Sequence, residues 1–264
     1  MGIADVIPGV SGGTIAFITG IYPRLIEALS SIDLSFLTLL LQGKFKESIN
    51  TIKKIDFPFL IPLVSGIFVA ILVFSKVMTV LLENFPAPTF AFFGGLIIAS
   101  AFVMYKQGGK LKFEKLILAI LGFLIAYILA GSSSIFIQST LPFIFFSGVI
   151  AITAMILPGI SGSFILLLLG QYQYILNALH TYNFVVIITF AFGALTGLIT
   201  FSKLLNYIIE HFRNLAISFL IGLMVGSLRL PINIVARGEF NLIVPISGVI
   251  GLIIVYGMNK IHKE

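Results

Sequence analysis

The stretch Val6-Ile7-Pro8-Gly9-Val10-Ser11-Gly12-Gly13-Thr14, followed by Gly20 and Tyr22, decides the reading of this chain because it occurs twice. The second copy is Ile156-Leu157-Pro158-Gly159-Ile160-Ser161-Gly162-Ser163, followed by Gly170 and Tyr172. Matched residues stand 150 positions apart, from Pro8 and Pro158 through Leu29 and Leu179. Each copy sets a Pro-Gly breaker and small hydroxylated residues between strongly apolar stretches. Proline lacks an amide hydrogen and pushes the preceding residue toward extended geometry, so Pro8 and Pro158 stop a helix. Gly9, Gly12, Gly13, Gly159 and Gly162 permit unusual backbone angles and close approach by another group. Ser11 and Ser161 stand where an N-cap belongs, and an apolar helix of roughly four turns is expected after each.

The chain is a membrane protein by composition. Its 264 residues are 59% hydrophobic and 10% charged, with a mean hydropathy of +1.15, far from the usual soluble balance. Apolar runs long enough to cross a bilayer fall at about 59–82, 89–105, 116–137, 184–209, 215–228 and 242–258. Two further hairpins, around 3–29 and 143–179, are broken at the Pro-Gly motifs. No basic leader with a cleavage site is visible ahead of the first motif. Zero cysteines exclude disulfides and thiol chemistry. The net charge of +6 does not imply a nucleic-acid partner, because the basic residues sit in short loops between spans, where the positive-inside rule places them.

The repeat extends beyond the motif. Phe74-Ser75-Lys76 matches Phe201-Ser202-Lys203, Glu83 matches Glu210, and Phe92, Gly95 and Ser100 match Phe219, Gly222 and Ser227, now 127 positions apart. The first repeat therefore carries about 23 extra residues, which fall in a polar, lysine-bearing loop at 42–56. Small-xxx-small pairs also recur, Gly66/Ala70 against Gly193/Gly197 and Gly95/Ala99 against Gly222/Gly226, and such pairs let helix backbones touch in lipid. The expected architecture is all-α, a polytopic membrane domain of two inverted-topology repeats, 1–140 and 141–264. Each holds one broken, re-entrant hairpin and three spanning helices. A hairpin returns to its starting side and three crossings then reverse orientation, so the halves should be inverted. Charge agrees: Lys44, Lys46, Lys53, Lys54, Lys106, Lys110, Lys112, Lys115, Arg213, Lys260 and Lys263 fall inside, against Arg229 and Arg237 outside. Both termini are expected in the cytoplasm. The second repeat has an apolar arm, 143–157, ahead of its motif. Its counterpart would need residues before Met1, so the first arm is either truncated in this chain or lost at a mis-assigned start codon.

A helix amino end with free N–H groups and hydroxyls, held inside a membrane, is an anion site suited to phosphate or carboxylate. Irregular backbone cannot face lipid at that depth, so the two tips should face each other or a water-filled cavity. The proposed donors are Ser11, Gly12, Gly13, Thr14, Ser161, Gly162 and Ser163, with Arg24 within reach of a phosphate or serving as a cytoplasmic anchor. The competing reading is a plain kink in two packed helices, which does not call for Ser-Gly-Gly-Thr in one copy and Ser-Gly-Ser in the other. Ionisable residues near apolar surroundings are candidates for coupling or gating: Asp5, Lys76, Glu83, Lys203 and Glu210. Snorkelling at helix ends explains the lysines and glutamates equally well. Asp5 has Met155 as its counterpart, so it either carries a coupling proton or caps the loop, and the cap is favoured.

At these residues the chain resembles a known family. The run from Gly2-Ile3-Ala4-Asp5 through Thr14, with Gly20-Ile21-Tyr22 and Arg24-Leu25-Ile26, is similar to the signature of the prokaryotic polyprenyl-phosphate transporters, first catalogued as a domain of unknown function. Pro158 to Ser163 looks like its internal duplicate. The resemblance implies an integral inner-membrane protein, not an enzyme and without a cofactor. It would return undecaprenyl phosphate, or a related polyprenyl phosphate, to the cytoplasmic leaflet for cell-envelope synthesis. Its partners would be that lipid and the bilayer, and a homo-oligomer is compatible with the sequence. An anion channel or exchanger would use paired broken helices in the same way. An intramembrane serine protease would need a base beside Ser11 or Ser161, yet His180, His211 and His262 sit at helix ends or in the tail. A purely structural scaffold leaves the twin motifs without a purpose. No metal-ligand cluster, Walker loop or lipid-phosphatase motif is present.

Overall fold

The computed structural model describes residues 1–5, 11–107, 112–132, 138–238 and 241–261, and the regular structure among them is helical. Pro8 and Gly9 of the first break lie outside the described residues. The chain begins with α1 (Gly2–Asp5), α2 (Gly12–Ile18) and α3 (Tyr22–Ser30). The four-turn helix expected after Ser11 is thus split. Gly20 takes a left-handed φ of 72°, which ends α2 after seven residues, and Pro23 opens the first turn of α3.

The expected polar loop at 42–56 contains a short helix, α5 (Phe45–Ile52), and another, α4 (Ser35–Leu41), directly precedes it. Phe45, Ile49 and Ile52 recur at helical spacing, a signal that the lysines between them obscured. Helix α6 (Phe57–Asn84) follows, N-capped by the Asp56 carboxylate, which accepts from the Phe59 amide at 3.2 Å. One non-helical residue, Phe85, separates it from α7 (Pro86–Gln107), so no loop of any length remains at 83–88. Helix α8 (Phe113–Gly131) ends short of residue 137, which lies outside the described residues.

The second half begins with α9 (Leu141–Ile156), the apolar arm leading into the Pro158 break. Then come α10 (Gly162–Leu168) and α11 (Tyr172–His180), turned 109° from each other at Gly170, whose φ is 67°. The long α12 (Phe184–Ser227) is two helices joined at Phe212. The short α13 (Arg229–Arg237) occupies ground expected to be loop, and α14 (Ile243–Ile261) closes the chain.

Positions matched in sequence share backbone geometry. Phe85 and Phe212 break their helices at φ/ψ of −134°/50° and −129°/35°. Asp56 and Asn183 both cap the helix that follows, and Ser11 and Ser161 both take extended angles at the amino ends of α2 and α10. The same residue types at the same offsets meet the same local constraint, so they fold alike.

Four helical stretches are long and apolar enough to cross a membrane among the described residues: Phe57–Phe74, Pro86–Lys106, Phe113–Gly131 and Phe184–Arg237. Only 6% of the first is buried, with Ile61, Val64, Phe68 and Leu72 largely uncovered. Such a surface belongs in hydrocarbon, as aqueous exposure of a patch this large is foreign to soluble monomers.

Lipid provides no hydrophobic drive for helix association, so close backbone contact must supply it. The glycines do this reciprocally. A Cβ added to Gly95 of α7 would strike the Gly248 carbonyl of α14, and one on its counterpart Gly222 would strike the Ala119 carbonyl of α8. From the other side, Gly251 of α14 abuts the Phe92 carbonyl, and Gly122 of α8 abuts the matched Phe219 carbonyl. Each half's middle long helix therefore packs on the last helix of the other half. Alanine at Gly95 or Gly222 must push two backbones apart. We expect each to cost toward the upper end of about 1–3 kcal/mol, lowering Tm in detergent. Gly257→Ala, at a position with nothing within 4 Å, should leave Tm unchanged.

Candidate functional site

The two motifs meet, and the first repairs the break in the second. Backbone groups freed by a helix break have no water to bind inside a bilayer, so a protein partner must supply the bond. The Ser11 hydroxyl donates to the Leu157 carbonyl at 3.0 Å, and the Gly159 amide donates to the Thr14 hydroxyl at 3.0 Å. The Tyr22 hydroxyl adds a bond to the Ile156 carbonyl at 3.3 Å. Ser11, Thr14, Tyr22 and Pro158 are all buried to within a few percent, so these bonds are shielded from solvent. Close approach makes this possible: a side chain at Gly13 would press on the Ile156 carbonyl, 2.9 Å away. Gly159, at φ 91°, is packed against the Met224 backbone, and only glycine fits both demands.

The hydroxyls also shape their own helix starts. The Gly13 amide donates to Ser11 Oγ at 3.2 Å, and the Phe164 amide to Ser161 Oγ at 3.4 Å. Ser161 and Ser163 share a hydroxyl–hydroxyl bond of 2.9 Å. Ser161 is buried, and Ser163 is half-buried beside it. Among the described residues, neither Ser11 nor Ser161 has a histidine as a hydrogen-bond partner.

Asp5 is a cap. Its Oδ1 accepts from the Gly12 amide at 2.8 Å, and Oδ2 is buried with no partner among the described residues. The amino end of α2 thus already holds a carboxylate, whereas the corresponding place at α10 is filled by Met155, whose Cβ lies against Gly162. The two motifs are alike in sequence and unlike in charge.

Arg24 lies away from this cluster. Its Nε and Nη2 form a forked pair with Asp56 at 2.9 and 3.3 Å, and the guanidinium rests over the Phe59 ring at 4.7 Å. The pair is solvent-exposed, and the Arg24 hydrogen bond holds the Asp56 carboxyl below its ordinary range. Lys76, Glu83, Lys203 and Glu210 lie on exposed helix surfaces, with Glu210 accepting from Asn206 at 2.7 Å. Lys203 comes close enough to Asp33 to help lower its pKa, after the larger effects of the Ser35 amide and hydroxyl.

Two residues escaped the sequence reading. Tyr22 stands out in sequence only as a match to Tyr172, and its hydroxyl bond to the Ile156 carbonyl appears only in the fold. Ser227, matched to Ser100, lines a cavity of about 20 Å³ with Gly159, Ile160 and Ser161, room for about one water molecule. A second cavity, of about 540 Å³, opens beside motif 1. Ala4, Ile15, Met78, Phe92 and Leu96 line its apolar wall.

A family model described as undecaprenyl phosphate translocase-like matches residues 1–240. The chain is 42% identical over 228 residues to the polyprenyl-phosphate transporter of Vibrio cholerae serotype O1, covering 86% of this chain and 73% of that protein. It is 33% identical over 258 residues to the polyprenyl-phosphate transporter of Staphylococcus aureus, covering 89% and 86%. No solved structure matches.

Removing the Thr14 hydroxyl would leave the Gly159 amide buried and unpaired. Thr14→Val should therefore cost about 1–3 kcal/mol and lower Tm, while Thr14→Ser, which keeps the acceptor, should lose much less. Equal melting of the two variants would show that this bond does not bind the motifs together.

Proposed function

Since the chain belongs to the undecaprenyl phosphate translocase-like family, we propose that it carries a polyprenyl phosphate across the bilayer, with the phosphate taken between the two motifs. The observation that carries this reading is the meeting of Ser11 and Thr14 with the Leu157–Gly159 break at a buried, hydroxyl-rich junction. A polyprenyl tail can stay in lipid throughout, so the protein has only to lead the phosphate through the apolar interior. Burying a phosphate without partners costs several kcal/mol or more, and these hydroxyls and amides replace its water. Ser161, Ser163 and the first-turn amides of α10 are its principal donors, because Asp5 already occupies the matching place at α2 and would repel a second anion.

The arrangement described is a closed one. The cross-motif bonds and the water-sized cavity beside Ser161 leave no space for phosphate, so entry parts the two motifs. The apolar cavity beside Ile15 accepts a stretch of the hydrocarbon tail, which favours a lipid phosphate over a small free anion. Asp5 caps α2, while Arg24 and the outlying lysines and glutamates act at the rim. We read the chain as a carrier without catalytic chemistry of its own, following the transporter names of its relatives.

Inverted halves, 1–140 and 141–264, fit this mechanism by presenting the same site to either side in turn. Two placements support inversion. Arg24 and Asp56 mark the start of α6, and Asp33 nearby lies close to Lys203, toward the end of the first segment of α12. Two matched helices that start and end on the same side run in opposite directions. With the lysines of 44–54 inside, both termini fall in the cytoplasm and the protein sits in the inner membrane. The chain has no cysteine, so single cysteines report cleanly. Those at Lys53 and Lys112 should label only from the cytoplasm, those at Ser132 and Gly238 only from outside. Labelling of Lys53 and Ser132 from one side would remove inversion.

The site itself is tested by comparing binding of a polyprenyl phosphate with that of the uncharged alcohol. A hydrogen bond to a charged group contributes about 1.5–3 kcal/mol, so Ser161→Ala or Ser163→Ala should weaken phosphate binding by about ten- to a hundredfold and leave the alcohol unaffected. Equal losses for both ligands would mean that the serines shape the fold and the anion lies elsewhere.

A further inference from the structure

The α4–α5 hairpin has no place in the carrier mechanism, and the second repeat manages without it. There α11 passes to α12 through Thr181–Asn183 alone, whereas the first repeat spends the whole stretch between Ser30 and Phe57 on the same connection. The insertion is ordered by its own contacts. Gly43, at φ 75°, turns the chain, the Lys44 amide donates to the Leu39 carbonyl at 2.9 Å, and the fully buried Ser48 donates to the Phe36 carbonyl at 3.0 Å. The two helices pack chiefly on each other.

That packing leaves an uncovered face of two chemistries. Leu41, at the end of α4, is 90% exposed, and Phe45 and Ile49 are exposed one turn apart on α5. Around them stand Lys44, Lys46, Lys53 and Lys54, all exposed, against the single acid Glu47 in that stretch. Apolar side chains ringed by lysines are the composition of a segment lying in a bilayer interface, its apolar side among the upper acyl chains and its cations at the headgroups. The height is right as well. The hairpin ends at Asp56, held by Arg24, and the next residue begins α6, whose near-bare apolar surface starts at once. We propose that α4–α5 is an interfacial anchor that lies on the anionic lipid surface of the adjacent leaflet, Leu41, Phe45 and Ile49 inserted and the four lysines engaging lipid phosphates.

The chain contains no tryptophan, so Leu41→Trp provides a single fluorophore at a position too exposed to disturb folding. The full chain carrying it would be reconstituted in vesicles of phosphatidylcholine alone or enriched in phosphatidylglycerol, with and without brominated acyl chains. We expect blue-shifted emission and strong bromine quenching in the phosphatidylglycerol vesicles and weaker quenching in phosphatidylcholine. Molar salt, or Lys44→Gln, Lys46→Gln, Lys53→Gln and Lys54→Gln together, should reduce the first response to the second. Water-like, unquenched emission in both lipids would overturn the proposal by leaving the hairpin in solvent. Blue-shifted but unquenched emission would overturn it by revealing a protein, another copy or a partner, over this face. Quenching equal in both lipids and indifferent to the lysines would overturn the assignment to anionic lipid. None of these outcomes depends on which substrate the carrier moves.

Discussion

A helix broken inside a bilayer leaves carbonyls and amides that no solvent will bind, and the structure answers this with the bonds from Ser11 to Leu157 and from Gly159 to Thr14. Much else follows from that need. The hydroxyls must be small and near the break, so serine and threonine follow the Pro-Gly step. The backbones must come within hydrogen-bond reach, so Gly13 and Gly159 have no side chains at the points of closest approach. Tyr22, projecting from the next helix, completes the set by reaching the Ile156 carbonyl. Under the proposed function, parting the motifs would free these groups beside the Ser161 and Ser163 hydroxyls.

The body around this junction is built without hydrophobic drive. Gly95 against Gly248 and Gly222 against Ala119 bring α7 to α14 and the second segment of α12 to α8, and the carbonyls at those contacts leave no room for a methyl group. The exchange of helices between halves means that neither half is a separate packing unit, so movement in one is felt in the other. The α9 arm is held in the same fashion, by Gly193 and Gly197 against the carbonyls of Phe145 and Val149.

Charge divides what the fold makes alike. Asp5 seats a carboxylate at the start of α2, and Met155 leaves the start of α10 without one. The helix starts at Ser11 and Ser161 share backbone angles and differ in charge. The remaining charges stay at the margins: Arg24 is engaged by Asp56, Arg229 donates to the Tyr127 carbonyl in the last turn of α8, and Glu210 takes a hydrogen bond from Asn206.

The sequence by itself determined the membrane class, the long apolar helices, the break at Pro158 and the caps at Ser11 and Ser161, because these follow from local chemistry: hydrocarbon length, a missing proline amide, a hydroxyl at a helix start. Repetition at fixed offsets also made Gly95 and Gly222 legible as packing positions. It did not reveal that Gly20 and Gly170 would cut each following helix in two, since a glycine after an apolar run is compatible with either a helical or a left-handed φ and only the surrounding packing selects one. Nor did it reveal the helices of α4 and α5, and in α5 a lysine interrupts the short apolar period. Arg24 reads from sequence as either a phosphate contact or a cytoplasmic anchor, and only the tertiary fold brings Asp56 to it from 32 residues away. Above all, the bond between Ser11 and Leu157 joins residues 146 positions apart, and no local pattern encodes which carbonyl a buried hydroxyl will find. That choice belongs to the fold, which must pair every freed backbone group with whatever the opposite half places within reach.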